Sequence, residues 1–123
     1  MILSHRFENN ICVVDVAGDL VLDQVNATKT YINEILKDGP NMKLIVLNLE
    51  GVSFIDSSGI GFLIATWRLV QKREGVFAVC RLNQKLSRLL EMTSLKGLIK
   101  VYGTLSDALT DENFAVPTSM PGT

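Results

Sequence analysis

The stretch with the most chemical promise is Phe54-Ile55-Asp56-Ser57-Ser58-Gly59-Ile60-Gly61, where an acid, two hydroxyls and two glycines follow an apolar segment. Such groups serve nucleophilic catalysis, phosphate cradling or the acceptance of a phosphoryl group. A nucleophile elbow needs glycine two residues before its serine and two after. Ser57 has Ile55 and Gly59 there, and Ser58 has Asp56 and Ile60, so neither serine carries the flanking pair. The one histidine, His5, lies in an N-terminal extended segment and would have to be the sole general base. No phosphate-cradling glycine pattern occurs at this turn, and no His/Cys cluster has metal-ligand spacing. The residues therefore predict a protein that is not an enzyme, uses no metal and no cofactor, and carries a serine that another protein modifies. At a helix N-terminus a phosphoryl group meets unpaired N–H donors and the positive end of the helix dipole. It would add about 1.5 to 2 negative charges beside Asp56, which the fold can bear and a partner packed over it cannot.

Apolar patterning gives the elements that position this turn. His5 to Glu8 and Ile11 to Ala17 read as a β-hairpin turned by Asn9-Asn10. Val25, Thr28, Ile32, Ile35 and Leu36 share a helical face, with Asp23 placed to cap its start and Gly39-Pro40 to end it. Leu44 to Leu49 reads as a strand covered on both faces. A helix from Ser57, capped by Asp56 or Ser57, ends before Gly75, and an apolar strand from Val76 to Cys80 follows. Asn83 can cap a helix carrying Leu86, Leu89 and Leu90; Leu98 to Tyr102 reads as a last strand, and Thr104 with Asp107 has capping-box spacing. This alternation predicts an α/β fold, a mixed sheet with parallel pairs and crossover helices. On the helix after the serines, advancing about 100° per residue puts Ile60, Leu63, Ile64, Trp67 and Val70 on a core stripe. Phe62, Thr66 and Leu69 fall on a second stripe, read as an exposed apolar docking face that Gly61 and Ala65 would let a partner approach.

Of the 123 residues, 47% are apolar and 20% charged, which excludes global disorder and suits one domain. The longest apolar run, Gly59 to Trp67, falls far short of the roughly 20 residues that span a bilayer, so no membrane insertion is expected. No export signal follows Met1, and Cys12 and Cys80 read as free buried thiols, so the expected location is cytoplasmic. The expected domain covers residues 1–111, with 112–123 as a flexible tail. Residues 1–67 carry four basic and eight acidic side chains, whereas 68–100 carry eight basic and two acidic. No aromatic residues interleave with these charges, so the basic stretch is expected to face water on several elements, with no direct DNA binding.

The run Leu47-Asn48-Leu49-Glu50-Gly51-Val52-Ser53-Phe54-Ile55-Asp56-Ser57-Ser58-Gly59-Ile60-Gly61 resembles the signature of the STAS domain, the anti-sigma factor antagonist family. Val16-Ala17-Gly18-Asp19-Leu20 is similar to the family's Gly-acid-Leu turn, and Leu90-Glu91-Met92-Thr93-Ser94-Leu95 with Ile99-Lys100-Val101-Tyr102 to its third helix and last strand. Val21 stands where many members carry an acid, and Asp23 comes two residues later. The resemblance implies a STAS-type mixed β-sheet of about five strands, an opening hairpin and then parallel strands, with about four helices. It also implies bacterial partner switching. The unphosphorylated antagonist binds a serine kinase that is also the anti-sigma factor and so frees the sigma factor; phosphorylation blocks that binding, and a serine phosphatase restores it. The kinase would use ATP and Mg²⁺, with this chain as its substrate only. The acceptor implied is Ser58, with Ser57 second, and the partner-binding residues are Asp19, Asp23, Asp56, Ser57, Gly59, Gly61, Phe62 and Leu69. The alternative is a non-switching STAS adaptor or scaffold, a stressosome or lipid-transport subunit, docking through Phe62, Thr66 and Leu69. Self-association stays open on either reading.

Overall fold

Alternating side chains in three apolar strands build two cores, one on each face of a single sheet. The computed structural model describes residues 1–39 and 42–111. Along the chain run β1 (Ile2–Glu8), β2 (Ile11–Ala17), α1 (Leu22–Asp38), β3 (Leu44–Gly51), α2 (Ser57–Lys72), β4 (Val76–Cys80), α3 (Gln84–Glu91), a 3-10 turn (Ser94–Gly97), β5 (Lys100–Tyr102) and α4 (Leu105–Leu109). The strands lie in chain order, β1 antiparallel to β2 and every later pair parallel, which is the mixed α/β sheet expected. Cys12, Val14 and Val16 of β2, Ile45, Leu47 and Leu49 of β3, and Phe77 and Val79 of β4 form the larger core. Ile32 and Ile35 of α1, Phe62, Leu63 and Val70 of α2, and Leu86 and Leu90 of α3 cover it. The strands step across the sheet in one direction, and the crossover helices α1, α2 and α3 all pack on the same side of it. The opposite face gathers Leu44, Val46, Ala78 and Cys80 under Ala108 of α4, so β3 is buried on both faces as its apolar run requires. Cys12 and Cys80 are free and fully buried on opposite faces, and burial pushes each thiol up to about 11.

Local expectations fare differently. β1 starts at Ile2, earlier than His5, and the hairpin turn puts Asn9 at a left-handed φ of 58°. Thr104 caps α4 by accepting the Asp107 N–H at 3.0 Å. The last strand is shorter than Leu98 to Tyr102, because Ser94–Gly97 coils as a 3-10 turn and β5 begins only at Lys100. Asp23 does not cap α1. The N-cap position belongs to Val21, which makes no side-chain cap, and Asp23 sits inside the first turn. Gly39 does end α1, its N–H reaching the Ile35 carbonyl at 2.9 Å, while Pro40 and the expected tail over 112–123 lie outside the described residues.

The largest correction concerns α2. Phe62 is 2% exposed and Thr66 1% exposed, so both belong to the core, and Leu69 is half-buried. Ile60, Ile64 and Trp67, assigned above to the core stripe, pack only at its margin. Gly59 sets this rotation. A Cβ there would lie 2.3 Å from the Leu20 carbonyl oxygen and 2.5 Å from Ile55 Cγ2. Only a residue without a side chain lets the first turn of α2 rest on the backbone at Leu20, and with Gly59 inward, Phe62, Leu63, Thr66 and Val70 follow at helical spacing. The Thr66 hydroxyl donates to the Phe62 carbonyl at 2.9 Å, so its burial leaves no polar group unpaired. The exposed face of Phe62, Thr66 and Leu69, with the adaptor docking surface built on it, is overturned.

Candidate functional site

The loop between β3 and α2 is held from both sides before it reaches the serines. On one side, the Leu20 N–H donates to the Phe54 carbonyl at 3.0 Å and the Asp56 N–H donates to the Leu20 carbonyl at 3.2 Å, a parallel bridge outside the strands. Gly18 makes this approach feasible. Its φ of 124° bends the chain off β2 in a conformation side chains rarely adopt, and its N–H meets the Gly51 carbonyl at 3.0 Å. On the other side, the Asn83 amide donates to the Ser53 carbonyl at 3.2 Å while its oxygen caps α3, accepting the Leu86 N–H at 2.7 Å.

Asp56 completes the arrangement. As N-cap of α2 it accepts the Gly59 N–H on Oδ1 at 3.1 Å, and on Oδ2 it accepts the N–H of Leu22, the first residue of α1, at 3.2 Å. One carboxylate thus satisfies donors at two helix starts and faces the positive ends of two helix dipoles. The cap that sequence spacing assigned to Asp23 comes from the neighbouring loop.

Ser57 is the first residue of α2 and is exposed; Ser58, one residue on, is half-buried. Neither backbone N–H finds an acceptor among the described residues. Gly61, one turn beyond Ser57, is exposed with open space around it. Asp19 and Asp23 are exposed on the adjoining β2–α1 segment. Gly59 is buried, so it works as a spacer under the loop and not as a partner contact, and half-buried Asp56 is committed to the two helix starts. Phe62 lies in the core. Two apolar residues outside the expected partner-binding set share this end of the fold, Leu22 at 68% and Phe54 at 46% exposure. Leu22 could have been found, since it falls about 100° round α1 from the stripe of Val25, Thr28, Ile32 and Ile35. His5 sits on the edge strand β1, where Nδ1 and the Tyr31 hydroxyl share a hydrogen bond at 2.5 Å. The arrangement offers a hydroxyl on a rigid rim, beside two open N–H donors and exposed apolar and acidic neighbours.

Residues 3–108 match the STAS domain family. An anti-sigma F factor antagonist of Paenibacillus polymyxa is 29% identical over 107 residues, covering 87% of this chain and 88% of that protein. The crystal structure of an anti-sigma factor antagonist from Mycobacterium paratuberculosis superposes with a TM-score of 0.78 at 28% identity, covering 89% of this chain and 91% of that one. The Bacillus cell fate determinant SpoIIAA in its phosphorylated form shares the fold, with a TM-score of 0.67 at 19% identity and coverage of 88% and 96%. The match takes in both laced loops, Asp56 and both serines, and the chain belongs to the STAS domain family.

Proposed function

We propose that this chain is an anti-sigma factor antagonist whose grip on an anti-sigma factor is switched off by phosphorylation of Ser57. The observation that carries the reading is the exposed Ser57 hydroxyl at the point where Asp56 joins the starts of α1 and α2. Sequence resemblance implied Ser58 first and Ser57 second; their exposures favour the reverse order, since a kinase must surround the acceptor oxygen. In support, relatives of similar length are anti-sigma factor antagonists, and one fold neighbour has a phosphorylated form.

The docking surface on this reading comprises Asp19, Leu22, Asp23, Phe54, Ser57 and Gly61, apolar contacts framed by acids. A serine kinase that is also the anti-sigma factor would move the terminal phosphoryl of ATP onto the serine oxygen, releasing ADP and the hydroxyl proton. The open N–H groups of Ser57 and Ser58 then receive the phosphate oxygens, so the domain stays folded. A dianion trapped under the partner, beside Asp56 and with no cation matched to it, costs the complex about 3 kcal/mol, more than a hundredfold in affinity. A serine phosphatase would reverse the change.

The test uses the anti-sigma factor kinase of the source cell. Wild-type chain is expected to bind it and to gain one phosphate at this turn with ATP. Ser57→Ala should bind without being modified, and Ser57→Asp should lose binding. Undiminished binding by Ser57→Asp, or phosphate placed only on other residues, would overturn the reading.

A further inference from the structure

At the other end of α1 and α2 lies a second feature that the switch leaves unused. The two helices frame an open groove of about 720 Å³, bordered by Lys29 and Lys37 of α1 and by Arg68, Lys72 and Arg73 from α2 and its C-cap. Among the described residues no acidic side chain lines it. On α1, Glu34 falls about 140° round the helix from Lys29, and α2 contains no acid at all. The floor is apolar, made by Leu36, Ala65 and Leu69. The gathering is hidden in the sequence, because two of its cations come from the acidic first half of the chain and three from the basic stretch.

Helix ends explain part of it. Lys37 and Lys72 stand in last turns and Arg73 at a C-cap, where cations complement the negative end of the dipole. That effect fades within one turn, and it does not account for Lys29, more than two turns from the end of α1, or for Arg68, a full turn from the end of α2. Nor are these charges neutralised within the described residues. Among the described residues the ion pairs are Arg6–Glu8, Arg6–Asp15 and Arg81–Glu50, and none involves Lys29, Lys37, Arg68 or Lys72. Arg73 is held in place, its guanidinium donating to the Leu36 carbonyl, so one wall of the groove is pinned to the other.

We propose that this groove docks an acidic, amphipathic segment of a partner protein, its carboxylates meeting Lys29, Lys37, Arg68 and Lys72 and its apolar side chains resting on Leu36, Ala65 and Leu69. Charge complementarity selects the acid. Leu36 and Leu69 are half-buried between the cations, unlike the projecting side chains that enter a bilayer, which selects a peptide segment. Arg68 follows Ser57 by about 16 Å along α2 at 1.5 Å per residue, so the segment can bind while the serine rim is occupied. The proposal stands independently of the phosphorylation reading.

The test measures binding of a synthetic amphipathic helical peptide, glutamates on one face and leucines on the other, to the whole chain by titration calorimetry. Binding that weakens with salt is expected. Lys29→Glu with Arg68→Glu, both on exposed positions and checked for folding by circular dichroism, should weaken it at least about tenfold. Lys85→Glu with Arg88→Glu, on α3, and Ser57→Asp should each leave it unchanged. No binding by the wild type, equal loss with the α3 pair, or retention of binding only to phosphatidylglycerol vesicles or duplex DNA would overturn the proposal.

Discussion

The carboxylate of Asp56 and the backbone N–H of Leu22, 34 positions apart in the chain, are joined by a 3.2 Å hydrogen bond. The same carboxylate caps its own helix through Gly59 at 3.1 Å, so the starts of α1 and α2 share one acceptor. Exposed Leu22 and exposed Ser57 are therefore both held beside the same carboxylate. A charge added at Ser57 is felt at the group that also anchors Leu22, which links the proposed modification to the apolar part of the proposed docking rim.

This sharing has a graded consequence. Asp56→Ala removes both acceptors and should destabilise the fold by about 2–3 kcal/mol, two caps at about 1 kcal/mol each plus the loss of a charge facing two helix dipoles. Asp56→Asn keeps one carbonyl oxygen, so it can serve one helix start and should cost about half as much. Urea unfolding of the three proteins with an unchanged slope checks this. Equal losses in Ala and Asn would mean that only one of the two hydrogen bonds matters.

Gly59 and Gly61 make a matched pair two residues apart on α2. Ala at Gly59 would drive a Cβ to 2.3 Å from the Leu20 carbonyl oxygen, a contact with backbone that cannot swing aside, and should cost about 3 kcal/mol or more. Ala at Gly61 meets nothing within 4 Å and should stabilise the helix by about 0.5–1 kcal/mol. Thermal melts should move in opposite directions, with Gly61→Ala up by a few degrees. A Gly59→Ala protein as stable as wild type would show that α2 can turn, and with it the assignment of its buried face.

The elements were legible wherever local pattern and tertiary environment agreed. Leu44 to Leu49 reads as a doubly covered strand and lies buried on both faces within β3, and Asn83 and Thr104 are local caps visible from their spacing. Two features were not legible, for one reason: a residue distant in sequence decides each. The cap of α1 comes from Asp56 on another loop, so spacing around Asp23 could not reveal it. The buried face of α2 is chosen by Gly59 against Leu20, and a helix apolar on two stripes leaves the rotation open until that contact is known. The motif located the serines, whereas their difference in exposure follows from the helix rotation that the motif does not encode.

That rotation makes its own prediction. Phe62→Ala should destabilise by about 3–5 kcal/mol, the range for emptying a buried aromatic site, because Phe62 is 2% exposed. Ile60→Ala, at the core margin, should cost clearly less. Chemical denaturation of the two variants checks the order. The reverse order would restore the stripe of Ile60, Leu63, Ile64 and Trp67 as the inner face.

The thiols supply a pH dependence with a definite sign. Cys12 and Cys80 titrate near 9.0 when unperturbed and are pushed up to about 11 by burial. Between those values the unfolded chain sheds thiol protons that the folded chain keeps, so it binds fewer protons and stability falls as pH rises. The contribution from burying neutral thiols is whole below pH 9.0 and is lost as pH climbs through about 11. Tyr31 and Tyr102 are also raised, chiefly by burial, and act in the same direction. The thiol share is isolated by comparing wild type with a Cys12→Ala, Cys80→Ala protein, whose decline in urea midpoint across the alkaline range should be shallower. In the wild type below pH 9.0, a thiol-specific disulfide reagent should label neither cysteine until urea unfolds the chain, because both thiols are fully buried and the reactive thiolate is scarce. Rapid native labelling at either position would mean that its face of the sheet opens without global unfolding, which the doubly covered β3 and β4 should prevent.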